Sequence, residues 1–279
     1  MVMSPIIERE AIKFKEEDDL VLGELKFWHE FNEFTRSKIG LPYLEGKLYE
    51  DIKKGIGEFL GLPGGCWFDA GCGNLPASKW ILEKAQGNIK IWAGDINIDG
   101  ANEVVRQIKN SHLITIVHTD LRERWPFPND FFDGIIGNHV FTFLMKSRQT
   151  IEETNGVLKE VLQEAYRVLK PGGILIWTMP KKNANTLYGL FYCLKYLLDP
   201  SRWRKHGRSL LLTTLKTMKY AREVERKGKK GIYSLLEKEE CERILRSIGF
   251  TDLEWKGVFA GQSWLNRAKK PACLASIVA

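Results

Sequence analysis

Five short apolar runs, at residues 66–70, 89–94, 113–117, 134–137 and 174–179, constrain this chain more than any other feature. They are rich in Ile, Val, Trp and Phe and lack strict polar alternation, the pattern of strands covered on both faces in a parallel sheet. Helix-length segments separate them, at 78–85, 100–109 and 155–169. Alternating strands and helices predict an α/β fold built of βαβ units, with helices on both faces of a mostly parallel, twisted sheet. Lys170-Pro171-Gly172-Gly173 stops the third of these helices and turns the chain into the fifth strand. A later helix over 236–247, ended by Gly249, and closing strands over 253–259 and 273–278 complete the expected order.

Residues 16–60 read as two helical pieces. Leu25, Trp28, Phe31 and Phe34 recur at helical spacing, Tyr49, Ile52, Ile56, Phe59 and Leu60 repeat the pattern, and Gly40-Leu41-Pro42 breaks it. The length of 279 residues suits one large domain with additions. We therefore expect a helical cap over 1–60, a main domain over 61–180 and 231–279, and an insert over 181–230.

The N-terminal residues have no basic stretch leading into an apolar run. The apolar stretch 187–198 carries Lys195 and falls short of the roughly 20 residues a bilayer crossing needs. Five cysteines form no CxxC pair and no zinc spacing, so reduced thiols in a cytoplasmic protein, with no metal, are expected.

The run ending at Asp69 continues into Gly71 and Gly73 and then a helix, which is a loop whose backbone can approach a ligand closely. A dinucleotide fingerprint would want glycine where this chain has Pro76. Asp95 ends the next run, where an acid can accept the hydroxyls of a ribose, and Asp120 follows the third, within reach of an adenine amino group. Each Asp taken singly could equally cap the following helix. Three acids at successive strand ends, together with the glycine loop, favour a ligand site.

With those residues in view the chain resembles the class I S-adenosylmethionine-dependent methyltransferases, in the broad group that includes quinone-pathway and lipid-modifying enzymes. The resemblance runs through Phe68-Asp69-Ala70-Gly71-Cys72-Gly73, Gly94-Asp95-Ile96, Thr119-Asp120-Leu121, the stretch Trp125 to Val140, Arg167 to Gly173 and Ser247-Ile248-Gly249-Phe250. It implies a Rossmann-like fold with S-adenosylmethionine as cofactor. Asp69, Ala70, Gly71 and Gly73 would hold the methionine part, Asp69 facing its ammonium; Asp95 would hold the ribose, and Ile96 would pack on adenine. Asp120 and Leu121 would fix the adenine edge, and Asn138 would lie beside the methionine. Two departures stand out: Leu75 replaces the family's third glycine, and Phe141-Thr142-Phe143 replaces a Leu-Glu-His run.

A sulfonium is already a good leaving group, so alignment and exclusion of water are the protein's main tasks, and a base is optional. His139 is the candidate catalytic residue, as a neutral imidazole poised near pH 7. Its alternative role is to shape the cofactor pocket. His29, His112, His118 and His206 carry no assignment, and Cys72 reads as loop packing.

Net charge is +7, but 181–230 holds 14 Lys or Arg against 3 acidic residues, leaving −4 for everything else. Leu187, Leu190, Phe191, Leu194, Leu197 and Leu198 predict one apolar face in this insert, and Leu211, Leu212, Leu215 and Met218 another. Three readings stay open: contact with an anionic membrane or a lipid-like acceptor, RNA binding, and a solvated surface on a cover for any small acceptor. The leading expectation is methyl transfer to a small, hydrophobic, lipid- or quinone-like acceptor. RNA or protein methylation and a non-catalytic cofactor-binding module are the alternatives; oligomeric state is left open.

Overall fold

The structure, a computed structural model, describes residues 19–38, 40, 46–86, 88–145, 151–184 and 198–272. The expected strand at 273–278 and the apolar face at 187–197 lie outside these residues. In chain order the elements are α1 (Asp19–Arg36), α2 (Lys47–Leu60), β1 (Gly65–Ala70), α3 (Pro76–Lys84), β2 (Ile89–Asp95), α4 (Asp99–Val105), β3 (Ile114–His118) and β4 (Phe132–Asn138). Then come α5 (Ile151–Val168), β5 (Leu169–Pro180), α6 (Pro200–His206), α7 (Arg208–Lys229), α8 (Lys238–Ile248), β6 (Thr251–Val258) and β7 (Ser263–Lys269).

Seven strands form one sheet in the order β3-β2-β1-β4-β5-β7-β6. The first five are parallel, and β7 runs antiparallel to both β5 and β6. The chain order reverses beside β1, so the loops after β1 and β4 diverge and open a crevice at the carboxyl edge.

The pleat explains the apolar runs that do not alternate. Phe68, Ile135, Leu175 and Trp177 face a core shared with α5 and α8, whereas Trp67, Ile91, Ile136 and Ile176 face a second core shared with α2 and α3. Both faces are dry, and each successive residue therefore has to be apolar.

Three expectations need correction. The helix predicted over 100–109 ends at Val105, and Asn110 takes a left-handed conformation before β3. Strand β7 escaped the sequence reading because it carries Asn266 in the core. That side chain is 1% exposed and is satisfied by Trp177 Nε1 at 2.9 Å and by the carbonyl of Glu254 at 3.1 Å. Over its described residues the expected cap divides: α1 lies over the crevice, while α2 reaches it through Leu48, Tyr49, Glu50 and Lys53 and buries Ile52 and Ile56 in the sheet's helix layer. Helix α8 ends at Gly249 as expected, begun by reciprocal hydrogen bonds between Glu237 and Glu240.

Candidate active site

The crevice is a cavity of about 990 Å³, at the large end of the range for small-molecule sites. Strand ends β1 to β4 form its floor, and α1 and α7 its roof.

Gly71 and Gly73 both have positive φ, 68° and 47°. A Cβ on Gly71 would lie 2.3 Å from Val140 Cγ2, so glycine is demanded by Val140 as well as by any ligand. The amides of Gly71 and Cys72 both donate to the carbonyl of Gly94, pinning the loop to β2. Asp95 accepts from the amide of Gly73 at 2.9 Å through Oδ2 and from that of Asn97 at 2.9 Å through Oδ1. Each oxygen keeps acceptor capacity toward the cavity that Asp95 lines. Burial raises its pKa, against the amides of Asn97 and Gly73.

Asp69 does something the sequence order conceals. Leu75, at the N-cap of α3, takes a left-handed conformation and offers no side-chain cap. The cap comes instead from Asp69, whose Oδ2 accepts from Ser78 N at 2.9 Å and Ser78 Oγ at 2.6 Å, on the third residue of the helix. Asp69 also lines the cavity. Burial pushes its carboxyl up to about 7, against the bonds from Ser78 and with a further rise from Asp95.

Of the other anticipated residues, Ile96, Asp120, Leu121 and Asn138 reach the cavity wall. Ala70 does not: it is fully buried in the core with Phe68 and Leu121, because it points away from the crevice along β1. Asp120 is gripped by its neighbour Arg122, with Nε 2.9 Å from Oδ1, Nη2 2.6 Å from Oδ2 and the amide 2.9 Å from Oδ1. Little acceptor capacity is left for an adenine amino group. Beside it, the Thr119 hydroxyl is buried, lines the same cavity and has no hydrogen-bond partner among the described residues. Its position inside Thr119-Asp120-Leu121 was the only signal that could have found it.

On the other side of the crevice the His139 amide donates to Thr178 Oγ1 at 2.7 Å, and Thr178 donates to Asn138 Oδ1 at 3.0 Å. This chain fixes the orientation of the Asn138 amide and leaves its NH₂ as a donor. His139 has φ of 52°, its Nε2 is 3.1 Å from Ser263 Oγ, and its ring meets Phe259 edge-on. Burial lowers its pKa to about 4, since an imidazolium here would lose its water. A base poised near neutrality is therefore not what this environment makes. Cys72 is buried, and its thiol is held protonated by burial and the neighbouring Asp95 and Asp69.

The roof was not anticipated in detail. His29 Nδ1 lies 2.6 Å from Asn97 Nδ2, and because Asn97 Oδ1 accepts from the amide of Asp99, the amide group donates and Nδ1 accepts. Asn74 reaches from the glycine loop to the Asn32 carbonyl at 2.9 Å and Thr35 Oγ1 at 2.8 Å. Helix α1 is thus laced to the loops after β1 and β2 along one side. On its other side Glu24, 6% exposed, pairs with Lys227, 7% exposed, and accepts from the Tyr233 hydroxyl at 2.5 Å. Lys227 lies 4.2 Å from the Phe27 ring centroid. Tyr220 on α7 meets Phe27, Phe31 and Phe34, and Trp28 stacks on Phe143 at 4.7 Å. The cavity wall on this side is apolar and aromatic, with Trp28, Phe31, Phe143, Met218, Tyr220 and Leu235.

Residues 68–177 match the family described as a methyltransferase domain. No curated protein matches the chain. Among solved structures, the N-methyltransferase NodS of Bradyrhizobium japonicum WM9, with S-adenosyl-L-homocysteine, is 10% identical over 88% of this chain and 98% of its own, TM-score 0.58. A Methanococcus maripaludis protein described as a putative S-adenosyl-L-methionine-dependent methyltransferase is 17% identical over 88% and 92%, TM-score 0.53. The [4+2]-cyclase SpnF is 17% identical over 79% and 80%, TM-score 0.50. At these identities the likeness is one of fold.

Proposed function

We propose that the chain, whose residues 68–177 match a methyltransferase domain on a Rossmann-like sheet, transfers a methyl group from S-adenosylmethionine to a small hydrophobic acceptor held under α1 and α7. The observation that carries this reading is the continuity of one cavity from the polar strand ends into the aromatic chamber beneath that roof.

The floor's donors and acceptors suit the cofactor. Asp95 offers free lone pairs for ribose hydroxyls, Ile96 an apolar face for adenine, and Gly71 and Gly73 a cradle without side chains. The Asn138 amide donates toward a carboxylate, and Asp69 offers negative charge to an ammonium. Thr119 takes the adenine-edge role, since Arg122 already holds Asp120. The bound cofactor supplies a methyl group activated on a sulfonium.

The chain's own residues then bind, orient and dry the site. The aromatic chamber favours an apolar acceptor by burying it, and the roof excludes water from the reacting atoms. His139, its basicity lowered by burial, shapes the wall between the two compartments rather than removing a proton. Acceptors that need no strong base, such as amines or already ionised oxygens and carbons, suit such a site.

Calorimetry with S-adenosylmethionine, followed by transfer of labelled methyl into extracts partitioned between organic solvent and water, tests this. Label in the organic small-molecule fraction is expected. Label in RNA or protein would replace the acceptor class, and binding without any transfer would leave a cofactor-binding module.

A further inference from the structure

Helix α7 has two unlike sides. Leu210 and Thr213 are buried, and Thr217, Met218 and Val224 line the cavity. On the opposite side Leu211, Leu212 and Leu215 are 46%, 46% and 57% exposed. The single apolar face expected for Leu211, Leu212, Leu215 and Met218 is therefore split: Met218 turns inward and the three leucines outward.

At 100° per residue Arg208, Lys219 and Arg222 fall on the same outward side as the leucines. The acids of this helix are occupied elsewhere, Glu223 with Arg226 and Lys227, and Glu225 with Lys229. The outer side thus combines uncovered aliphatic surface with cations that the helix itself does not neutralise. Trp203 on α6 adds an indole that is 41% exposed.

We propose that this outer side of α7 docks on the surface of an anionic lipid bilayer. Leucines gain by entering the acyl boundary while arginine and lysine stay at the headgroups, a combination that suits an interfacial helix. A nucleic acid would engage the cations but give the three leucines nothing, since phosphate contacts are polar and base stacking uses planar groups. A second copy would bring the same cations face to face. The charge pattern therefore selects the bilayer. The docking does not depend on the methyl-transfer reading, although the same helix roofs the acceptor chamber.

The full chain, without cofactor, is sedimented with vesicles of phosphatidylcholine and with vesicles that also contain phosphatidylglycerol. Binding to the anionic vesicles is expected. The exposed-site variant Leu211→Ser/Leu212→Ser/Leu215→Ser should weaken it about tenfold or more, with circular dichroism and thermal unfolding unchanged. Arg208→Gln/Lys219→Gln/Arg222→Gln should weaken it by roughly a hundredfold, and raised salt should act in the same direction. The proposal is overturned by any of three results: absence of binding to the anionic vesicles at low salt, binding that the serine variant leaves unchanged, or a dimer in gel filtration that the serine variant dissolves.

Discussion

The floor and the roof of the cavity are built by different means. On the floor, backbone amides and carbonyls do most of the holding: Gly71, Cys72 and Gly73 are bonded to Gly94 and Asp95, so the loop's shape is set by main chain and one carboxylate. In the roof, side chains do it, through Glu24, Lys227 and Tyr233 and the rings around Tyr220. Main-chain bonds tolerate many sequences, whereas a buried ion pair and its aromatic shell depend on each residue present. The floor can thus serve a common cofactor, and the roof can specialise.

The largest effect should come from the roof. Lys227→Met leaves Glu24 buried with only Tyr233 and should cost about 3–5 kcal/mol of stability in urea denaturation, while Glu24→Leu/Lys227→Met should recover most of it. Equal losses in the single and double variants would show that the pair does not hold α1 to α7.

On the floor, Asp95→Ala should weaken S-adenosylmethionine binding by about 1–3 kcal/mol with folding intact. An unchanged affinity would move the ribose elsewhere.

Asp69 supplies a pH test. Its carboxyl is raised to about 7, so a ligand ammonium, which favours the ionised form, must expel a proton at lower pH. Affinity should be flat above pH 7 and fall toward about tenfold per unit below it, with proton release visible as a buffer-dependent binding enthalpy. Asp69→Asn should flatten the profile; a profile that stays steep would mean another group titrates.

The smallest effect is expected at Thr119→Val, about 0.5–1.5 kcal/mol of cofactor affinity if its hydroxyl reads the adenine edge. Asp120→Asn would then matter less than Thr119→Val, which inverts the assignment drawn from the strand-end pattern.

The same contrast explains what the sequence made legible. Strand positions and the acids at their ends follow from local patterns, and the anticipated Asp95, Gly71 and Gly73 do meet at one cavity. His29, Asn97 and Asn32 carry no local signature, because their partners lie 68 and 42 positions away. Arg122 is adjacent to Leu121, yet nothing in its spacing announced that it would occupy Asp120. Ala70 turns its side chain into the core because the pleat, not the motif, decides which side of β1 a residue faces. Lys227 looked like one more surface cation in a basic segment; its burial depends on Glu24, more than two hundred residues earlier.

Leu75 has a consequence for how this site could change over generations. With a capping side chain at that position, Asp69 would be at liberty to vary as ligand needs dictated. As it is, one carboxylate serves both the start of α3 and the cavity, so the two selective pressures converge on a single codon. A scan scored by melting temperature and a scan scored by cofactor affinity would each flag Asp69, for unrelated reasons.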